Sequence, residues 1–561
     1  MASSGKRVYA ALATIFLVVG GAFGYAPRPA VFSVLCASAP PRENNRTVSG
    51  SIAETYTNYI DGTLLGVQVA GNGVVPDYNL ALPQNISSGQ PLGFTLTQGG
   101  ATRSAAVSYD GSGKVLNLTD GAVSANYLWT PGGHATGIVV NVAGAARLSL
   151  ASAWNEALGV RSNMTFTAGG ATVASFAFQR GNGTSQITRI VREDGTSREI
   201  SYDGSGRLAG WKHKNAAGVA DYDRSWVFGY DGANNLVSAG RDPTVAGGPL
   251  PMSPMCKQYA TQNIRSNSQF SVDAFNFSAV RNWRAVDLVC YAVTNARVTV
   301  NGMAARRNGN RFVVSIPLAQ NSVASVTNLT VCAVTSAGTN LEYYTTNVVT
   351  LTLPAYPETI QTALASAVTA DSVMSYNFDA RNQLRQVTDQ PGATAQRLQS
   401  TYYYYPDGRR AEKIVTQWNG SSWQPYRTCQ YIYNQWNLIR EIVSNQTGVI
   451  TRDFSWGLDL AGISDGQWGQ NAGGIGGLLA ITEVSGNKTN IFLPVCDHVG
   501  TMHSLVAAMT NNVMLSTPAV VATYEYSPYG ELIAQDGPYA GSRGARGHIW
   551  TMDIETLSYM N

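Results

Sequence analysis

The residues best able to do chemistry in this 561-residue chain are few and far apart. Its five histidines stand at 134, 213, 498, 503 and 548, and only His498 and His503 are near neighbours. A spacing of five sets that pair on opposite faces of a strand and out of line on a helix, and no cysteine or carboxylate pattern completes a metal site. The run Gly473-Gly474-Ile475-Gly476-Gly477 invites comparison with a phosphate cradle, yet no Lys-Ser or Lys-Thr follows it. The scattered Ser, His and Asp residues suggest no triad. The expectation is a chain without catalytic residue, metal or cofactor, and not an enzyme.

Two other groups could act on a partner. Trp418, Trp423, Trp436, Trp456 and Trp468 cluster near Tyr402, Tyr403, Tyr404 and Tyr405, and such rings can stack on a sugar. The same rings also serve sheets as core and cross-strand ladders, which the usual burial of large aromatics favours. The six cysteines, at 36, 256, 290, 332, 429 and 496, have no paired spacing for zinc or for a redox dithiol. Cys290 and Cys332 each lie in an alternating apolar run, where an oxidising compartment could cross-link them; two buried thiols fit equally well.

What must position these side chains is a phrase that recurs: an aromatic residue, Asp, turn residues, a basic or amide residue, then an aliphatic one. It reads Tyr109-Asp110-Gly111-Ser112-Gly113-Lys114-Val115, Tyr202-Asp203-Gly204-Ser205-Gly206-Arg207-Leu208, Tyr230-Asp231-Gly232-Ala233-Asn234-Asn235-Leu236 and, more loosely, Phe378-Asp379-Ala380-Arg381-Asn382-Gln383-Leu384. Each copy describes a β-hairpin: the ring ends a strand, Asp accepts hydrogen bonds from the turn, and Gly or Asn takes the positive φ. One hairpin is marginal in water, so the copies must pair edge to edge, their tyrosines stacking along the sheet.

The phrase resembles the YD repeat of the RHS family, large bacterial surface and toxin-associated proteins. Later segments strengthen the likeness: Tyr405-Pro406-Asp407-Gly408-Arg409-Arg410, Tyr433 to Ile439, Trp456-Gly457-Leu458-Asp459-Leu460, and Tyr524 to Leu532 follow in the order of an RHS repeat-associated core. The resemblance implies an all-β hairpin-repeat array, a partial cocoon-like spiral. In toxin-bearing members it also implies an aspartyl self-protease at the core end. Here Asp553-Ile554-Glu555-Thr556-Leu557 is followed by no Arg-Tyr-Tyr or Asp-Pro motif, so no catalytic residue carries over and the core-like region is expected to be truncated. Val495-Cys496-Asp497-His498-Val499-Gly500-Thr501 replaces the usual Tyr-Asp-Gly phrase and reads as degenerate.

Charged residues make up only 13% of the chain, about half the usual share, which suits exported β structure. The net charge of +3 and the lack of a basic, aromatic-laced cluster exclude a nucleic-acid footprint. Lys6-Arg7, the apolar stretch Val8 to Val19 and the small residues to Ala26 fit a signal peptide, an uncleaved anchor being the other reading. No stable membrane span is expected after cleavage.

The expected domains are a signal peptide (1–26), a leader with first strands (27–90), an N-terminal YD-repeat region (91–250), an immunoglobulin-like β-sandwich insert (255–355) and the core-like region (374–561), with a short helix at 358–368. Some 35 strands, at roughly ten residues each, suggest an open curved sheet. The expected function is an exported, non-enzymatic scaffold at the cell surface or outside the cell, with a protein or glycan ligand and self-association through sheet edges. A shell part or remnant of a toxin-delivery system and a carbohydrate-binding surface protein are the alternatives.

Overall fold

The computed structural model describes most of residues 77–242, 374–389, 397–458 and 476–526, together with strands at 53–58 and 64–70, strands between 264 and 370, and strands after 531. The proposed signal peptide, Cys36, Cys256, Trp436, Trp468 and His548 lie outside the described residues.

The fold is all-β and follows the chain. Sixteen strands from Ala53–Asn58 to Leu236–Arg241 pair antiparallel in strict sequence order, forming a first sheet. Fourteen more, from Gln361–Thr362 to Leu532–Asp536, form a second in the same way. Between them, residues 264–353 make a five-stranded and a four-stranded sheet. Strands at Gln361–Thr362 and Val368–Ala370 stand where a short helix was expected.

Every residue type in the recurring phrase has a place. Asp110 Oδ1 accepts the Ser112 and Lys114 amides at 2.9 Å, and Asp203 Oδ1 accepts those of Ser205 and Arg207 at the same distance. Gly113 and Gly206, at φ 84° and 78°, close these turns in the left-handed region, where a Cβ is strained. The strand register slips by one residue at Tyr109, Tyr202 and Tyr230, a bulge beside each turn.

The aromatic ring then reaches back one copy. Tyr202 Oη donates to the Ile187 carbonyl at 2.9 Å, Tyr230 Oη to Leu208 at 2.9 Å and Tyr404 Oη to Leu384 at 2.6 Å. Trp129, Trp154 and Trp456 do the same through Nε1, to Val115, Ala135 and Leu438 at 2.8–2.9 Å. Each acceptor begins the return strand of the preceding hairpin. The basic residue reaches forward: Lys114 lies 5.6 Å from the Trp129 ring centroid, Arg207 4.7 Å from Tyr230 and Arg409 5.1 Å from Tyr433. Successive copies are thus linked by a hydrogen bond and a cation–π contact, where the sequence suggested stacked tyrosines.

Turns without the phrase share the geometry. Thr130–His134, Arg192–Thr196 and Asn215–Val219 close with the same pair of backbone hydrogen bonds as Asp110–Lys114. Asp497–Thr501 does too, Oδ1 of Asp497 accepting the Val499 and Thr501 amides. The segment that reads as degenerate is conformationally intact.

Each long sheet is open, as expected, with an end strand at either side, but the two do not stand apart. Both long sheets contribute to one hydrophobic core, which joins Leu96, Leu118, Tyr127, Phe166 and Phe176 of the first to Leu438, Trp456, Leu479, Phe492 and Leu505 of the second. In the second sheet Leu478–Ser485, Lys488–Cys496 and Met502–Thr510 are buried at consecutive positions, hence on both faces.

Tyr202→Phe removes one backward hydrogen bond while keeping the ring. It should cost about 1 kcal/mol, read as a lowered thermal midpoint with an unchanged far-ultraviolet spectrum.

Candidate functional site

The polar groups that meet in space lie between the two long sheets. Arg103, on the strand Ala101–Tyr109, is 9% exposed at its side chain and spends all five guanidinium donors. Nε donates to Asp120 Oδ1 at 3.0 Å and Nη2 to Asp120 Oδ2, both within the first sheet. The others cross to the second sheet, reaching the Ile439 and Phe454 carbonyls and, at 3.2 Å, Asp453 Oδ1. Ser455 Oγ donates to Asp120 Oδ2 at 2.8 Å, while Arg440 grips Asp453 through Nε and Nη2 at 2.7 and 2.9 Å. Burial alone would lower the Arg103 pKa; Asp120 and Asp453 outweigh it and hold the guanidinium charged.

Further along, Arg192 Nη2 donates to His503 Nε2 at 2.6 Å, and its guanidinium carbon lies 4.5 Å from the Phe176 centroid. An arginine only donates, so Nε2 accepts and the imidazole is neutral with its proton on Nδ1, 2.6 Å from Ser504 Oγ. Burial, with Arg192 and Arg198 nearby, holds the His503 pKa well below its usual value. His498 packs 5.1 Å from Phe178 and is lowered chiefly by burial. Arg224 reaches Glu525 at 3.1 Å. His498 sits in the Asp497–Thr501 turn, as expected, with its ring packed inward, whereas His503 is an interior support on the strand Met502–Thr510.

Among the described residues no group of three or more His, Cys, Asp or Glu side chains is placed to hold a metal ion. No described helix is long and apolar enough to cross a membrane.

The aromatics singled out in the sequence separate. Trp456 is 5% exposed in the shared core, so it is no part of a stacking platform: its neighbours are core side chains and its Nε1–H is engaged. Trp418 and Trp423 do meet, paired in register across one hairpin with centroids 5.4 Å apart. Arg397 lies 5.3 and 5.4 Å from the two rings, a cation–π contact with each. Cys290 lies on Ala285–Ala292 of the five-stranded sheet and Cys332 on Ser325–Ala337 of the four-stranded one. The side chain of Cys290 is outside the described residues, so the cross-link stays an expectation.

Arg103, Asp120, Asp453 and Arg192 were not found by sequence reasoning. The available signal was a charge at an inward position of a strand in a chain with so few charges.

With the geometry in view, the comparisons with known proteins add little. No family model and no curated protein matches this chain. Among solved structures it is similar to a Tc holotoxin pore of Photorhabdus luminescens, at 13% identity and TM-score 0.28 over 86% of this chain and 24% of that one. It is also similar to a porin-like protein of Bacteroides uniformis, at 13% identity and TM-score 0.20 over 46% of this chain and 92% of that one. This chain thus spans about a quarter of the toxin chain it matches.

One carboxyl gives this interior a pH signature. Glu412 is 1% exposed, with Oε1 held by Gln430 at 3.1 Å and Oε2 buried without a partner. Burial pushes its pKa from 4.5 up to about 7. A raised folded pKa means stability that is present below 4.5 and lost as pH rises through 7. Glu412→Gln should therefore raise the thermal midpoint at pH 8 and leave it nearly unchanged at pH 4, in parallel melts of the two proteins.

Proposed function

We propose that this chain is an exported, non-enzymatic scaffold of the RHS or YD-repeat type, presenting its outer sheet surfaces and sheet edges to a protein or glycan. The observation that carries the reading is the filled interior: the two repeat sheets close on one another through a shared core. A shell around cargo would need a hollow where these sheets have side chains. The material of the fold has gone into holding a broad surface rigid, which suits a scaffold.

Partner engagement would use the parts the core leaves open. The first sheet ends at Ala53–Asn58 and Leu236–Arg241, the second at Gln361–Thr362 and Leu532–Asp536. Edge strands offer a row of backbone donors and acceptors to another chain. Self-association through these edges belongs to the same proposal. The family assignment rests on the ordered YD phrases of the sequence.

The test is export and integrity of the full chain expressed in a bacterial host, followed by fractionation, surface proteolysis and intact mass. The proposal expects protein beyond the cytoplasmic membrane and one species that does not fragment on incubation. Cytosolic retention, or spontaneous cleavage at a defined bond, would contradict it.

A further inference from the structure

Several arginines withdrawn from solvent meet a carboxylate: Arg103 meets Asp120 and Asp453 and Arg224 meets Glu525 across the sheets, and Arg452 bridges Glu441 and Glu483 within the second sheet. Arg161 does not. It rises from Val160–Ala168 beside a cavity of about 60 Å³ between the two long sheets. Its guanidinium carbon lies 4.8 Å from the Trp154 centroid, and Nη1 lies 3.4 Å from Met164 Sδ, a weak acceptor. Its Nε is shut off from solvent with no hydrogen-bond partner. Among the described residues it makes no ion pair.

The surroundings do not compensate. Asp497 also borders the cavity, but its Oδ1 is engaged by the Val499 and Thr501 amides. Arg180 donates from Nη2 to the Arg161 carbonyl at 2.8 Å. Arg161, Arg180 and Arg198 all act on His498, whose Nδ1 is buried and also lacks a partner. Burial pushes the Arg161 pKa down to about 10. The rest of the cavity wall is mainly apolar, including Val140, Met164, Phe166, Leu458 and Leu478.

We propose that this cavity is a binding site for a small carboxylate with a short apolar tail, its oxygens on the Arg161 guanidinium and its tail against Met164, Phe166 and Leu478. A half-buried cation with Nε shut off from solvent and no counter-ion is costly, and a carboxylate matches the guanidinium fork with two parallel hydrogen bonds. The size of the cavity sets the size of the ligand. One water needs about 10–15 Å³ on this measure, so the space suits a few heavy atoms.

Propionate is the probe. The full chain is melted in sodium propionate and in sodium chloride at equal ionic strength and pH 7.5, alongside Arg161→Met. The expected result is a saturable rise of about 2 °C or more specific to propionate, absent in Arg161→Met. An equal response to both salts, or a propionate response retained by Arg161→Met, overturns the site. Should that variant not fold, ¹³C-propionate with the unaltered protein decides: saturable line broadening with transfer to protein methyl groups supports the site, and its absence at millimolar concentration overturns it.

Discussion

The structure depends on closing two long repeat sheets against each other, so that charge carried to their interface has to be compensated there. Arg103 is where that constraint is met. Its guanidinium is removed from water, and it is tolerable there because Asp120 and Asp453 neutralise it and two carbonyls of the opposite sheet take its remaining donors. Such a group contributes little net stability over an apolar pair, yet it is unforgiving of misplacement. A slip of one residue in either sheet would turn the partners to the other face, so the cluster fixes how the sheets sit together.

The same economy runs along each sheet. An aromatic group bonded to the preceding hairpin and a cation laid over the following ring tie neighbours together locally, so long-range contacts are needed only between the sheets. This explains why the chain tolerates turns as different as Asp110–Lys114 and Thr130–His134. What the array needs is a residue able to close the loop and one in the left-handed region, as Gly113, Gly133 and Asn234 are. Leu478–Ile481 and Leu505–Met509 are apolar at consecutive positions, within strands buried on both faces.

Local chemistry was legible in the sequence and tertiary chemistry was not. Tyr109, Tyr202 and Asp203 announced their hairpins because strand, cap and turn are written within seven residues. The partner of each ring was not legible, because Ile187 and Leu208 contribute a backbone carbonyl, which has no sequence signature. The segment Val495–Thr501 lacks the aromatic residue and the Gly after Asp that mark the phrase, although the capping Asp497 oxygen and Gly500 are in place. The tryptophans were ambiguous from composition alone; Trp456 is core, while Trp418 and Trp423 each meet Arg397. The facing of the two sheets rests on contacts more than 300 residues apart, such as Arg103 with Asp453 and Arg192 with His503, and no local pattern encodes those.

The central claim is that the two repeat sheets form one unit held through their interior. Hydrogen-exchange mass spectrometry of Arg103→Met against the unaltered chain tests it most directly. The substitution leaves Asp120 and Asp453 buried without their shared cation. Exchange should quicken in both 101–142 and 437–456, on the two sides of the interface. Quickening confined to the first sheet would contradict the account, because it would mean that the sheets fold and hold independently.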